Sequence, residues 1–286
     1  MQPSGWAFLA EAQNPDGGWG YAIAQDSSVE ATAAVVIATS DDPKMPEARV
    51  RALDWLDAAQ HRDGGWGISA DDQQSGWQTA WGLLAIVTAG SAEDSVARSA
   101  QWLLDVDTPE PSADAMQQLQ PLLEIDLTLK GWPWLPGQAT WIEPTALAML
   151  ALAVAGHADS PRVTNAVRYL TDRRCPGGGW NVGNPVMFSQ PLPPRAHPTA
   201  WALLALSRIA PETIMSQDVA AVREAMADDG GALALAWGLL AQKDLGLDDS
   251  AASDRLVAQQ QPNGSWNANP YHTAVAFMAT GRTVPW

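Results

Sequence analysis

A short phrase ending in Gly-Gly-Trp, or a close variant of it, returns along the whole chain and constrains its architecture before any other property is considered. It stands as Gln13-Asn14-Pro15-Asp16-Gly17-Gly18-Trp19, Gln60-His61-Arg62-Asp63-Gly64-Gly65-Trp66, Arg174-Cys175-Pro176-Gly177-Gly178-Gly179-Trp180 and Gln260-Gln261-Pro262-Asn263-Gly264-Ser265-Trp266, with a weaker echo at Lys130-Gly131-Trp132. A second phrase follows each of these: Ala31-Thr32-Ala33, Gln78-Thr79-Ala80-Trp81, Pro144-Thr145-Ala146, Pro198-Thr199-Ala200-Trp201 and His272-Thr273-Ala274. The hexapeptide Ala-Trp-Gly-Leu-Leu-Ala at 80–85 recurs at 236–241 and recovers a repeat whose first phrase has decayed. Each unit is too small to bury its own apolar face, so neighbouring units must stack.

Between the phrases the pattern is helical and of two kinds. Segments near 4–13, 47–60, 95–105, 162–174, 216–227 and 249–260 mix charged with apolar residues and suit half-exposed outer helices. Segments near 29–40, 77–89, 143–155, 198–209, 232–242 and 271–280 are apolar on all sides and must be inner helices. The Gly-Gly-Trp phrase then acts as helix stop and turn, its Trp a staple between the two. Six alternating pairs predict an all-α, (α/α)6 double-shell barrel, or toroid, occupying residues 1–286 as one domain. An open superhelix is the second choice, disfavoured because it would leave the inner helices' apolar surface uncovered. The Pro-rich insertion at 105–140 is a candidate lid.

Composition narrows the partners. Sixteen Lys and Arg against 32 Asp and Glu give a net charge of -16 in 286 residues, which sets nucleic acid aside. Trp, at 15 residues against 3 Phe and 3 Tyr, is in unusual excess. The single cysteine, Cys175, excludes an internal disulfide and any multi-cysteine metal cluster, which fits a reducing compartment. Met1 to Trp6 lack the features of a leader, and the longest apolar run, near 146–156, is too short to span a bilayer. The expected location is cytoplasmic, with peripheral membrane contact left open because an apolar mouth could touch lipid; oligomeric state is not legible.

Arg51-Ala52-Leu53-Asp54-Trp55-Leu56, leading to Gln60 and Gly64-Gly65-Trp66, resembles the QW repeat of squalene–hopene and oxidosqualene cyclases. The Thr-Ala-rich inner helices resemble the wider terpenoid cyclase and protein prenyltransferase barrel. One such barrel is close in size to a monodomain class II terpene cyclase or a prenyltransferase β subunit. The resemblance implies a metal-independent reaction in which an Asp from an Asp-x-Asp-Asp motif protonates an isoprenoid. Ser28-Val29-Glu30-Ala31-Thr32-Ala33 stands at the matching place, with Glu30 at the acid position and the flanking acidic residues replaced by Ser28 and Ala31. Trp141-Ile142-Glu143-Pro144-Thr145-Ala146 offers a parallel carboxylate in the third repeat.

The chemistry asks for such residues. Protonating an alkene needs a carboxylic acid that keeps its proton, which burial and a neighbouring carboxylate favour. The resulting cation needs electron-rich walls free of nucleophiles, and Trp77, Trp81, Trp141, Trp201 and Trp237 are the candidate indoles. His197, Tyr271 and His272 would stand near the same rim, able to orient a carboxyl group or take the final proton. Against this, an acidic first turn is also ordinary helix-dipole chemistry, and Trp can simply fill a core.

Other activities fare less well. The zinc set of a prenyltransferase is incomplete, since Asp172 and Cys175 stand too far apart to accompany His272. Asp41-Asp42, Asp71-Asp72, Asp228-Asp229 and Asp248-Asp249 do not complete an Asp-Asp-x-x-Asp magnesium motif, and Asp105-Val106-Asp107-Thr108 ends an outer helix. No metal or cofactor is therefore expected. Glu30 and Glu143 could instead flank a sugar in a carbohydrate-active (α/α)6 enzyme, although the inner helices offer few polar side chains. A non-catalytic lipid- or partner-binding barrel remains the third alternative.

Overall fold

The computed structural model of the protein describes residues 5–40, 45–281 and 286; the N-terminal Met1 to Ser4 and the Asp41-Asp42 pair lie outside the described residues. Outer and inner helices alternate along the chain: α1 (Gly5–Glu11) and α2 (Val29–Ala38), then α3 (Pro46–Ala59) and α4 (Gln78–Thr88). Next come α5 (Glu93–Asp105), the insertion helix α6 (Ala113–Leu123) and α7 (Ile142–Val154). The last three pairs are α8 (Pro161–Asp172) with α9 (Ala196–Ile209), α10 (Ser216–Asp229) with α11 (Ala232–Asp244), and α12 (Ser250–Ala258) with α13 (Pro270–Thr280). Two small antiparallel hairpins lie outside this scheme. One pairs β1 (Trp132–Pro133) with β2 (Thr140–Trp141), the other β3 (Val186–Met187) with β4 (Gln190–Pro191).

The inner helices form a closed ring. α2 packs on α4, α4 on α7, α7 on α9, α9 on α11, α11 on α13, and α13 returns to α2. Their Ala-, Leu- and Val-rich surfaces are buried almost throughout, as the all-round apolar pattern demands. Each outer helix lies on the inner helix that precedes it, so α3 covers α2 and α12 covers α11, while α1 covers α13 and joins the two ends of the chain. At that joint Trp6 stacks on Phe277, ring centroids 4.3 Å apart, and Gly5 leaves the room that Phe277 occupies. Closure, not an open superhelix, is the observed architecture.

The two repeated phrases prove to be the two ends of one device. In five repeats the backbone N–H of the phrase Trp donates to the Thr hydroxyl of the second phrase: Trp19 to Thr32, Trp66 to Thr79, Trp132 to Thr145, Trp180 to Thr199 and Trp266 to Thr273, at 2.8–3.0 Å. The indole N–H of each donates to a leucine carbonyl near the end of an outer helix, Leu9, Leu56, Leu103, Leu170 and Leu256, at 2.7–2.8 Å. One buried Trp thereby ties two helices together: its indole N–H occupies a buried carbonyl near the end of the outer helix, and its backbone N–H is received by the Thr side chain in the first turn of the inner helix. Gly64, at φ 93°, supplies the left-handed turn, and a Cβ there would lie 2.5 Å from the Arg98 carbonyl oxygen.

The decayed fifth repeat keeps the packing without the indole. In the second repeat Gly82 has no Cβ because the Trp66 ring lies against it; at the equivalent Gly238 the Met226 side chain fills that place. The turn between α10 and α11 shrinks to Gly230 and Gly231.

Candidate active site

The starts of all six inner helices converge on one cavity of about 170 Å³. Glu30 comes from α2, Trp81 from α4, Glu143 and Leu147 from α7, His197 and Trp201 from α9, Leu233 from α11 and Tyr271 from α13, with Trp77 just ahead of α4. Residues from six helix starts can meet only if the inner helices begin at the same end of the ring, which is the parallel arrangement that alternation predicts. Trp134, from the segment between β1 and β2, completes the wall. Its carbonyl accepts from the Trp77 N–H at 3.0 Å, and its ring meets Trp77 edge to face at 4.9 Å. The end of the Pro-rich insertion therefore covers one side of the mouth.

Glu30 sits in the first turn of α2, whose start is capped by the Ser28 hydroxyl accepting from the Ala31 N–H. The Tyr21 hydroxyl donates to its carboxyl, and Tyr271 and Trp81 turn polar groups toward it. Burial pushes the Glu30 pKa up, and these hydrogen bonds offset only part of that rise. Glu143 is raised to about 7, first by burial and then by the charge of Glu30. The two carboxyls thus feel one another across the cavity, and an ordinary helix-dipole role, which would favour ionisation, is outweighed by desolvation. Burial also raises the Tyr21 and Tyr271 hydroxyls and lowers His197, favouring its neutral imidazole.

Aromatic faces make up most of the remaining wall. Trp81 meets Trp201 edge to face at 5.6 Å and Tyr271 at 5.8 Å. Trp237 packs behind them, 4.2 Å from Trp201 and 6.0 Å from Trp81, and does not itself line the cavity.

Two further expected members are elsewhere. Trp141 ends β2, where strand pairing with Trp132 turns it outward; it is 36% exposed and lines a separate hollow of about 340 Å³ under the insertion, with Leu127, Leu129 and Tyr169. His272, one residue beyond Tyr271, is rotated off the cavity; its Nδ1 lies 2.9 Å from the Asn267 amide nitrogen. Among the described residues no three His, Cys, Asp or Glu side chains are grouped to hold a metal, and no helix is long and apolar enough to cross a membrane.

Four lining or supporting residues escaped the sequence reading: Tyr21, Trp134, Leu147 and Leu233. Tyr21 had a signal, since it is one of only 3 tyrosines and stands two residues beyond the phrase Trp19. Trp134 lay within a segment read as lid rather than wall.

Comparison with known proteins agrees with this architecture. Residues 2–117 match the family model of the squalene-hopene cyclase C-terminal domain. A crystal structure of a protein from Actinoplanes superposes with TM-score 0.65 at 19% identity, covering 95% of each chain. The type II terpene cyclase MstE from Scytonema, in complex with geranylgeranyl dihydroxybenzoate, superposes with TM-score 0.64 at 17% identity, covering 96% of this chain and 93% of that one. The fold is that of the terpenoid cyclases. The resemblance carried by the Gly-Gly-Trp phrases holds. The terpenoid-cyclase toroid also occurs outside enzymes of that name: a Salmonella alpha-2-macroglobulin reacted with methylamine superposes with TM-score 0.53 at 13% identity, covering 99% of this chain and 18% of that one. No curated protein matches the sequence.

Proposed function

We propose that the protein is a class II, protonation-initiated terpene cyclase or isomerase acting on an isoprenoid chain, with Glu30 as the general acid. The observation that carries this reading is a carboxyl group held above its usual pKa at the wall of an indole-lined cavity. A buried acid whose pKa is raised holds its proton more tightly than a free carboxyl and can transfer it to a terminal alkene, forming a C–H bond and leaving a tertiary cation on the adjacent carbon. The faces of Trp81, Trp201, Trp77 and Trp134 stabilise that cation without attacking it. Attack by the next double bond closes a ring and moves the cation along the chain.

The last step is loss of a proton. His197 stands on α9, three helices around the ring from α2 and so opposite Glu30. Its neutral imidazole is the base that ends the sequence, with the proton returning to Glu30 through solvent. Among the described residues the lining offers no Asn, Gln, Arg or Asp side chain to recognise a sugar, which favours the isoprenoid reading over a glycoside.

Glu30→Gln keeps size and hydrogen bonding but removes the transferable proton, and it should lower turnover about 10²-fold or more. Isoprenoid products extracted and measured by mass spectrometry would show this, and EDTA should leave the parent rate unchanged. Full activity in Glu30→Gln, or loss in EDTA with rescue by magnesium or zinc, would overturn the proposal.

A further inference from the structure

The cavity also says what kind of isoprenoid it takes, an inference that rests on the reading above. We infer that the substrate is a short, uncharged isoprenoid alcohol, of about ten carbons, whose hydroxyl group is held by Glu143.

Three observations lead there. The first is size. A volume of about 170 Å³ lies below the ~300 Å³ at the small end of ordinary ligand pockets, and at interior packing density it holds roughly ten non-hydrogen atoms. A thirty-carbon chain does not fit within it.

The second is charge. The titratable groups on the wall are Glu30, Glu143, His197 and Tyr271, with the Tyr21 hydroxyl behind Glu30. Among the described residues no Lys or Arg lines it. The helix starts around the cavity would favour an anion, but among the described residues no Lys or Arg stands there to neutralise one, so a diphosphate would lose its water in a low-dielectric site without a cation to answer it.

The third observation is an unmatched carboxyl. Glu30 has the Tyr21 hydroxyl as donor, whereas among the described residues no group donates a hydrogen bond to the Glu143 side chain, which is half-buried at the cavity wall. A carboxyl in such a place gains from a ligand that brings its own donor. A hydroxyl supplies that donor without charge. With the hydroxyl end at Glu143 on α7 and the alkene end at Glu30 on α2, the two carboxyls divide binding from proton transfer. Glu143 is thus a specificity-determining residue for the head group.

Binding and turnover can be read separately. Isothermal titration of the whole chain with geraniol, geranyl diphosphate and the matching deoxygenated hydrocarbon measures affinity in the absence of any assumption about reaction. Geraniol should bind at least tenfold more tightly than either of the others. In Glu143→Leu the preference for alcohol over hydrocarbon should disappear, while in Glu143→Gln, which still accepts a hydrogen bond, it should persist. Circular dichroism confirms that each variant is folded; if Glu143→Leu is not, Glu143→Ala with the same ligand pair decides. Equal or tighter binding of the diphosphate, equal affinity for alcohol and hydrocarbon in the parent, or no binding of any ligand overturns the inference. The two claims fail differently. Geraniol bound without proton transfer would leave this inference standing and remove the cyclase reading. Turnover of the diphosphate would do the reverse.

Discussion

Glu143 carries a cost that depends on pH, because its carboxyl titrates near 7 in the folded protein against 4.5 in a free chain. The folded state therefore holds this proton more tightly than the unfolded state. The associated stability is fully present below pH 4.5 and is lost as the pH rises through 7, at most about 3 kcal/mol across the window. Glu143→Gln removes the titration. Its stability relative to the parent, measured by urea unfolding, should increase from pH 4.5 to pH 7.5 and then level off; a constant difference would mean that the carboxyl is not desolvated.

Tyr21 acts on the other carboxyl. Its hydroxyl donates to Glu30 and so holds the Glu30 pKa below what burial alone would impose. In Tyr21→Phe the acid keeps its proton to higher pH, and the alkaline fall of the pH–rate profile should move upward. A purely structural Tyr21 would change the rate without moving the profile.

Among the elements, the Trp staple sets how each inner helix begins. Thr79→Val leaves the Trp66 N–H buried without its acceptor and should cost about 1–3 kcal/mol, readable as a lower urea midpoint at unchanged slope. Gly82→Ala tests the same contact from the other side. A Cβ at Gly82 would lie 2.6 Å from the Trp66 ring, so overpacking should destabilise by about 1–3 kcal/mol even though Ala is the better helix former.

The same device explains what the sequence could and could not convey. All six helix pairs were legible because the Trp, Gly and Thr that join them are specific residues at repeated places. Their joining was less so, since the Trp-to-Thr separation is 13 residues for Trp66 but 19 for Trp180, where the β3–β4 hairpin intervenes, and 7 for Trp266. Trp141 was misplaced because it stands just ahead of α7 in β2, where pairing with Trp132, and not the helix, sets the direction of its side chain. Trp134 was invisible to periodicity, since its position depends on how the insertion folds back.

At the scale of the molecule, closure of the ring makes the cavity. The site draws on the starts of six helices, so any loosening of the seam between α13, α1 and α2 reaches Glu30 and Tyr271 directly. Phe277→Ala, which removes the partner of Trp6 outside the cavity lining, should lower stability by less than the about 3–5 kcal/mol of a fully buried Phe, because Phe277 is only partly buried. The closed ring also explains why fold alone leaves the chemistry open: the toroid supplies a dry chamber, and the residues at the helix starts decide what happens in it.

Proton transfer from Glu30 is the central claim, and heavy water tests it most directly. Incubating the protein with an acyclic isoprenoid in deuterium oxide and analysing the product by mass spectrometry should show one deuterium at the carbon that was the terminal alkene, with none incorporated by Glu30→Gln. A product free of deuterium, or the same label in Glu30→Gln, would contradict the account.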